Sequence, residues 1–123
     1  MPEPRRELAT MPEIAQALNS LLALPMNWDS YGASPINSEC VSYALQLLRS
    51  TMKADTPAPA VVPTCAGGIQ IEWHTRGIDL EIEIRSPGRS SVSYEDHRDG
   101  ATWEGEVTDD LMQLRQLISS LSR

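Results

Sequence analysis

No phenylalanine occurs in this chain, and tryptophan and tyrosine number three each. Any core must therefore be built from Leu, Ile and Val around a few rings. Cysteine is nearly as scarce: Cys40 and Cys65 are too few for a disulfide framework. Neither has a CxxC partner or a histidine at metal spacing, so each is read as a buried thiol. No run approaches the roughly 18 apolar residues of a membrane span. The opening MPEPRRELAT carries two arginines but no apolar stretch of signal-peptide length behind them. These features give a cytoplasmic expectation, with no membrane partner. Catalytic signatures are missing as well. There is no GxSxG, no phosphate-cradling glycine loop, no HExxH and no EF-hand loop, and no serine in the sharp turn of a nucleophile.

What is present fits one globular unit spanning residues 1–123. A chain of 123 residues has room for one domain and buries roughly two-thirds of its extended surface. Its 41% hydrophobic and 22% charged content is that of a folded protein, not a disordered one. The net charge is −7, and it is segregated. Residues 68–110 hold eleven Asp/Glu against four Arg, whereas the rest of the chain holds six acids and six bases. Direct binding to nucleic-acid phosphates needs a basic surface, so that class is excluded.

Residues 1–9 read as a loose arm. Thr10 followed by Glu13 fits a capping box, and Ile14, Ala17, Leu18, Leu21 and Leu22 recur at helical spacing until Pro25. A turn-rich connection follows over 27–36. The second helix opens at Ser34 or at Asn37, with Val41, Ala44, Leu45, Leu48 and Met52 as its stripe. Residues 55–59 form a proline-rich linker. Residues 60–64 read as a strand that Pro63 confines to a sheet edge. Strict period-two alternation then runs through Ile69, Ile71 and Trp73, and again through Ile78, Leu80, Ile82 and Ile84. Weaker strands are expected at 91–96 and 102–107. Thr108 is placed as the cap of a last helix bearing Leu111, Leu114, Leu117, Ile118 and Leu121. The fold expected is α+β: a four- to five-stranded antiparallel meander, with two N-terminal helices and one C-terminal helix packed on one face.

Register converts this pattern into a surface, because a one-residue slip would flip every side chain. A two-residue turn at Arg76 and Gly77 pairs Trp73 with Leu80, Ile71 with Ile82 and Ile69 with Ile84. The opposite face then pairs His74 with Asp79, Glu72 with Glu81, and Gln70 with Glu83. A three-residue loop from Pro87 to Arg89 is expected next, setting Ile84 beside Val92, Ile82 beside Tyr94 and Glu81 beside Glu95. The result is a carboxylate row Glu72–Glu81–Glu95, with Glu83 alongside and Glu104 on the next strand. Like charges placed opposite one another cost roughly 0.2–1 kcal/mol per pair.

Three readings of that row stand. It is a solvated polar face, a docking surface for a basic protein, or a divalent-cation site. His74 opposite Asp79 is either an exposed cross-strand contact or a tuned acid–base pair. His97, in a turn, reads as structural. Trp28 and Tyr31 either tuck the interhelix connection onto the core or offer an aromatic contact to a partner. Trp103 is placed on the core side with Tyr94.

The connection NWDSYGASPI (27–36), the segment PTCAGGIQIEW (63–73) and DLEIEI (79–84) resemble a family of small uncharacterised prokaryotic proteins. That family shares a W-D-x-Y-G-A-x-P connection and a G-G-I-Q-x-E-W strand. The resemblance implies a bacterial or phage origin and carries no activity or catalytic residue. It marks Trp28, Asp29, Tyr31, Gly32, Gln70, Glu72 and Trp73 for testing. The functional expectation is a non-enzymatic protein-binding module, such as an antitoxin, immunity protein or inhibitor. Its contact residues would be Glu72, Glu81, Glu83, Glu95, Trp28 and Tyr31, with no cofactor and a basic protein as partner. The alternatives are a small metal-assisted hydrolase or metal-binding protein using the same carboxylates, and a homodimer with a merely solvated face.

Overall fold

The structure, a computed structural model, describes residues 11–122; the arm at 1–9 and the cap expected at Thr10 lie outside them. Helix α1 (Met11–Ser20) runs into a 3-10 turn at Leu21–Ala23. Helix α2 (Ser38–Thr51) precedes five strands: β1 (Ala60–Pro63), β2 (Ile69–Thr75), β3 (Ile78–Ser86), β4 (Arg89–Asp96) and β5 (Ala101–Glu106). Helix α3 (Met112–Ser119) and a 3-10 turn at Ser120–Ser122 close the chain. The strands pair antiparallel in sequence order, leaving β1 and β5 as edges, so the expected α+β meander has five strands. Among the described residues no helix is long and apolar enough to cross a membrane.

The alternation in β2 and β3 drives this arrangement. Ile69, Ile71, Trp73, Ile78, Leu80, Ile82 and Ile84 are all buried on one side of the sheet. Helices α1, α2 and α3 lay Ile14, Leu18, Cys40, Val41, Ala44, Leu48, Leu114, Leu117 and Ile118 onto that side. Burying a Leu or Ile side chain contributes roughly 1.5–3 kcal/mol, so one continuous apolar layer suffices without staples. Trp73, the largest fully buried side chain, donates its indole N–H to the Pro57 carbonyl at 2.8 Å. That bond fastens the proline-rich segment 55–59 onto the sheet. Trp103 pairs with Tyr94, and both pack against the core.

Several local expectations change. In α1 only Ile14 and Leu18 are buried, while Ala17 and Leu22 are exposed, because the last turn tightens to 3-10 and rotates Leu22 outward. Asn37, not Ser34, caps α2, accepting the Glu39 N–H at 2.8 Å. The stripe of α2 rotates to bury Leu47 and Thr51, with Leu45 and Met52 only half-buried. Helix α3 starts four residues beyond Thr108, and Asp110 is the side chain that accepts the Met112 N–H. Cys40 is buried but Cys65 is exposed, since Cys65 lies in the β1–β2 turn and not in a strand.

The main correction concerns β3 and β4. The β2–β3 register is as expected, closed by Arg76 and Gly77, both at positive φ. Between β3 and β4, Ser86 pairs with Arg89 around a two-residue turn, and the register then shifts so that Ile84 faces Ser90. Arg85 is the extra residue of a β-bulge. Ile82 therefore pairs with Val92, Leu80 with Tyr94, Glu81 with Ser93 and Asp79 with Glu95.

Candidate functional site

On the face turned away from the helices, the bulge redraws the rows. Glu72 pairs with Glu81, Glu81 with Ser93 and Ser93 with Glu104. The expected partner of Glu81, Glu95, lies two pairs further along β4, opposite Asp79. The third row runs from Gln70 through Glu83 and Ser91 to Glu106. Serines at 91 and 93 are short, so a shallow groove of about 350 Å³ opens over β4, walled by Glu81, Glu83 and Glu104. Arg85 reaches Glu83 at 3.5 Å.

Beside the groove the side chains form a continuous polar chain. The Gln70 amide donates to Glu72 Oε2 at 2.8 Å and to Glu81 Oε1 at 3.4 Å, bridging the like-charged pair. Glu72 Oε1 lies 3.0 Å from His74 Nε2, and His74 Nδ1 lies 2.7 Å from Asp79 Oδ1. Asp79 Oδ2 lies 2.7 Å from His97 Nε2, and His97 Nδ1 is 3.7 Å from Glu95. One aspartate thus serves two histidines. The expected pairing of His74 with Asp79 is present. His97, expected to be structural in its turn, instead joins the outer face through its side chain. Its backbone N–H, donated to the Gly77 carbonyl at 2.8 Å, fixes it there.

The electrostatics follow from these contacts. Both nitrogens of His74 face carboxylate oxygens, so both contacts are hydrogen bonds only when the ring is an imidazolium. Hydrogen bonding to Asp79, and secondly to Glu72, raises its pKa above the ordinary imidazole value. The Asp79 hydrogen bond, followed by the negative charge of Glu95, raises His97. Asp79 is lowered in return by His74 and then His97.

Ligand atoms of Glu72, His74 and Glu81 approach within 4.8 Å of one another, close enough to share an ion, although exposed acidic groups are common without one. They are already engaged by protein hydrogens: the ring of His74 spans two carboxylates, and the Gln70 amide sits between the two glutamates. A metal here would have to displace both.

The aromatic candidates stand apart. Asp29 Oδ1 accepts the N–H groups of Tyr31 and Ala33 at 2.8 and 3.0 Å, and Asn27 Oδ1 accepts that of Gly32 at 2.6 Å. Half-buried Trp28 donates its indole N–H to the Ser34 carbonyl at 2.9 Å, so it braces the connection. Tyr31 is 92% exposed at the tip and does not tuck onto the core. The connection hydrogen-bonds to Cys65 and Gly67, at the other end of β2 from His74. Trp28 and Tyr31 therefore stand away from the Glu72–Glu81 pair and from His74. Compared with protein-family models, curated proteins and solved structures, the chain matches none.

Proposed function

We propose that this protein is a non-enzymatic binding module that captures a basic protein segment on the outer face of its sheet. The observation that carries this reading is Glu72 held directly opposite Glu81, with Glu104 continuing the row and Glu83 beside it. Opposed like charges on neighbouring strands cost stability, and a sheet shaped only by folding would more often alternate signs. A cationic partner turns that cost into complementarity and raises the rate of encounter. Short Ser91 and Ser93 let a long Lys or Arg side chain lie between the carboxylates. In its concrete form the reading is a bacterial or phage antitoxin, immunity protein or inhibitor that covers a basic surface on its target.

The test is fluorescence anisotropy of a labelled lysine octapeptide against the protein at low salt and at 0.5 M salt. Capture that weakens steeply with salt, and is lost on replacing Glu72, Glu81 and Glu83 with Gln, supports the proposal. Equal affinity of wild type and the triple variant would sink it.

A further inference from the structure

Within that reading, the chain of contacts around His74 has a second consequence. His74 sits where a partner's cation would sit, between Glu72 on its own strand and Asp79 across the hairpin, 3.0 and 2.7 Å from their oxygens. We infer that His74 is a resident, proton-dependent counter-cation of the acidic face, so that capture of a basic segment is coupled to release of its proton.

The groups around it define the switch. From β2, Glu72 and the Gln70 amide reach this region, and from β3 come Asp79 and Glu81. Beyond Asp79 stands His97, with Glu95 at its far nitrogen and Asp96 next along the chain. The nearby cation Arg98 is turned away, with its guanidinium on Asp96. Arg76 lies exposed in the turn between the two strands. Both hydrogen-bond partners of the His74 ring among the described residues are carboxylates.

Losing one proton has unequal effects on the two histidines. A neutral His97 keeps its short contact by carrying hydrogen on Nε2 toward Asp79. A neutral His74 carries only one hydrogen, and one of its two carboxylates is left facing a lone pair. With hydrogen on Nδ1 the Asp79 bond survives and Glu72 is released. Glu72 then stands opposite Glu81 with only the Gln70 amide between them, a place for an ammonium or guanidinium group. Below the titration of His74 the Glu72 position is occupied by the site's own cation, and above it that position is open to the partner. This inference rests on the acidic-face reading, and it sets the pH at which that face becomes available.

The experiment is the same lysine octapeptide measured at pH 5.5 and pH 8.5, with wild type, His74→Gln and His74→Arg. Wild type should bind about fivefold or more tightly at pH 8.5, a coupling of ordinary allosteric size. His74→Gln should bind tightly at both pH values, leaving only the smaller dependence from His97. His74→Arg, a permanent cation, should bind weakly at both. Equal wild-type affinity at the two pH values overturns the coupling while leaving the acidic face as a docking surface. Tight binding by His74→Arg at pH 8.5 overturns it as well. No binding at any pH, by any form, removes both readings.

Discussion

Asp79 Oδ2 and His97 Nε2 lie 2.7 Å apart, joining the first residues of β3 to the turn that follows β4. The contact exists because Asp79 pairs with Glu95, which brings the end of β4 alongside the start of β3. Through Asp79 it also links His97 to His74.

Replacing Asp79 with Asn should lower the titration midpoints of both histidines at once, although only His74 shares a hairpin with it. The raised imidazoles contribute stability fully below their ordinary value of 6.5, and lose it as pH climbs through the raised values. The lowered Asp79 contributes above its ordinary 3.8, and loses that as pH falls through the lowered value. The thermal-stability gap between wild type and Asp79→Asn should therefore be widest between about pH 4 and 6.5, and close in alkali. Histidine ring-proton NMR across pH 5–9 reads the midpoints, and movement of His74 alone would contradict a shared carboxylate.

A second aspartate holds its charge far into acid. Asp96, only 6% exposed, accepts the Arg98 backbone N–H at 2.9 Å and the guanidinium at 3.0 and 2.8 Å. These bonds lower its pKa from 3.8 to about 2. Its contribution is present above 3.8 and fades as pH falls toward 2. Asp96→Asn should melt below wild type at pH 7, and the two should converge near pH 2. A constant gap across pH 2–7, followed by circular dichroism, would show that the pair carries no proton-linked stability.

The division between what was legible in the sequence and what was not has a physical origin. Alternation through Ile69, Ile71 and Trp73 and through Ile78 to Ile84 sets which side chains are buried, and the Arg76 and Gly77 turn sets their pairing. Both could be read directly. The bulge at Arg85 leaves no mark in the apolar pattern, because Ser86 and Ser90 are neutral about which face they occupy. It could have been inferred from two demands together: a two-residue turn at Pro87 and Gly88, and Val92 on the core side. Satisfying both needs one extra residue. The displaced register moved Glu95 from Glu81 to Asp79 and placed Ser93 opposite Glu81 instead, so the site was less legible than the fold. Tyr31 takes the exposed one of its two alternatives because Asn27 and Asp29 satisfy the connection's own backbone groups, and the ring is not needed to anchor it.

Close backbone approach makes Gly68 the least replaceable glycine. A Cβ there would lie 2.3 Å from the Ile84 carbonyl oxygen, a backbone atom that cannot swing away. Gly68→Ala should cost about 1–3 kcal/mol, the range for forced overpacking. At Gly88 no atom lies within 4 Å of the same Cβ, and only the positive φ of 83° opposes it. Gly88→Ala should therefore cost less, about 1 kcal/mol. Urea denaturation of the two variants gives the comparison, and the reverse order would mean that β2 and β3 separate more easily than this packing allows.

The central claim, that the outer face captures a basic segment, is tested most directly by two variants of equal net charge. One replaces Glu81, Glu83 and Glu104 with Gln around the groove; the other replaces Glu39 with Gln and Asp55 and Asp109 with Asn, away from it. Each removes three negative charges, and both are titrated with the lysine octapeptide at low salt and pH 8.5. The face variant should lose at least about tenfold in affinity, while the distant variant stays within about twofold of wild type, because close contacts outweigh screened distant charge. Equal losses in the two variants would mean that net charge alone attracts the peptide, and would contradict a docking surface on the sheet.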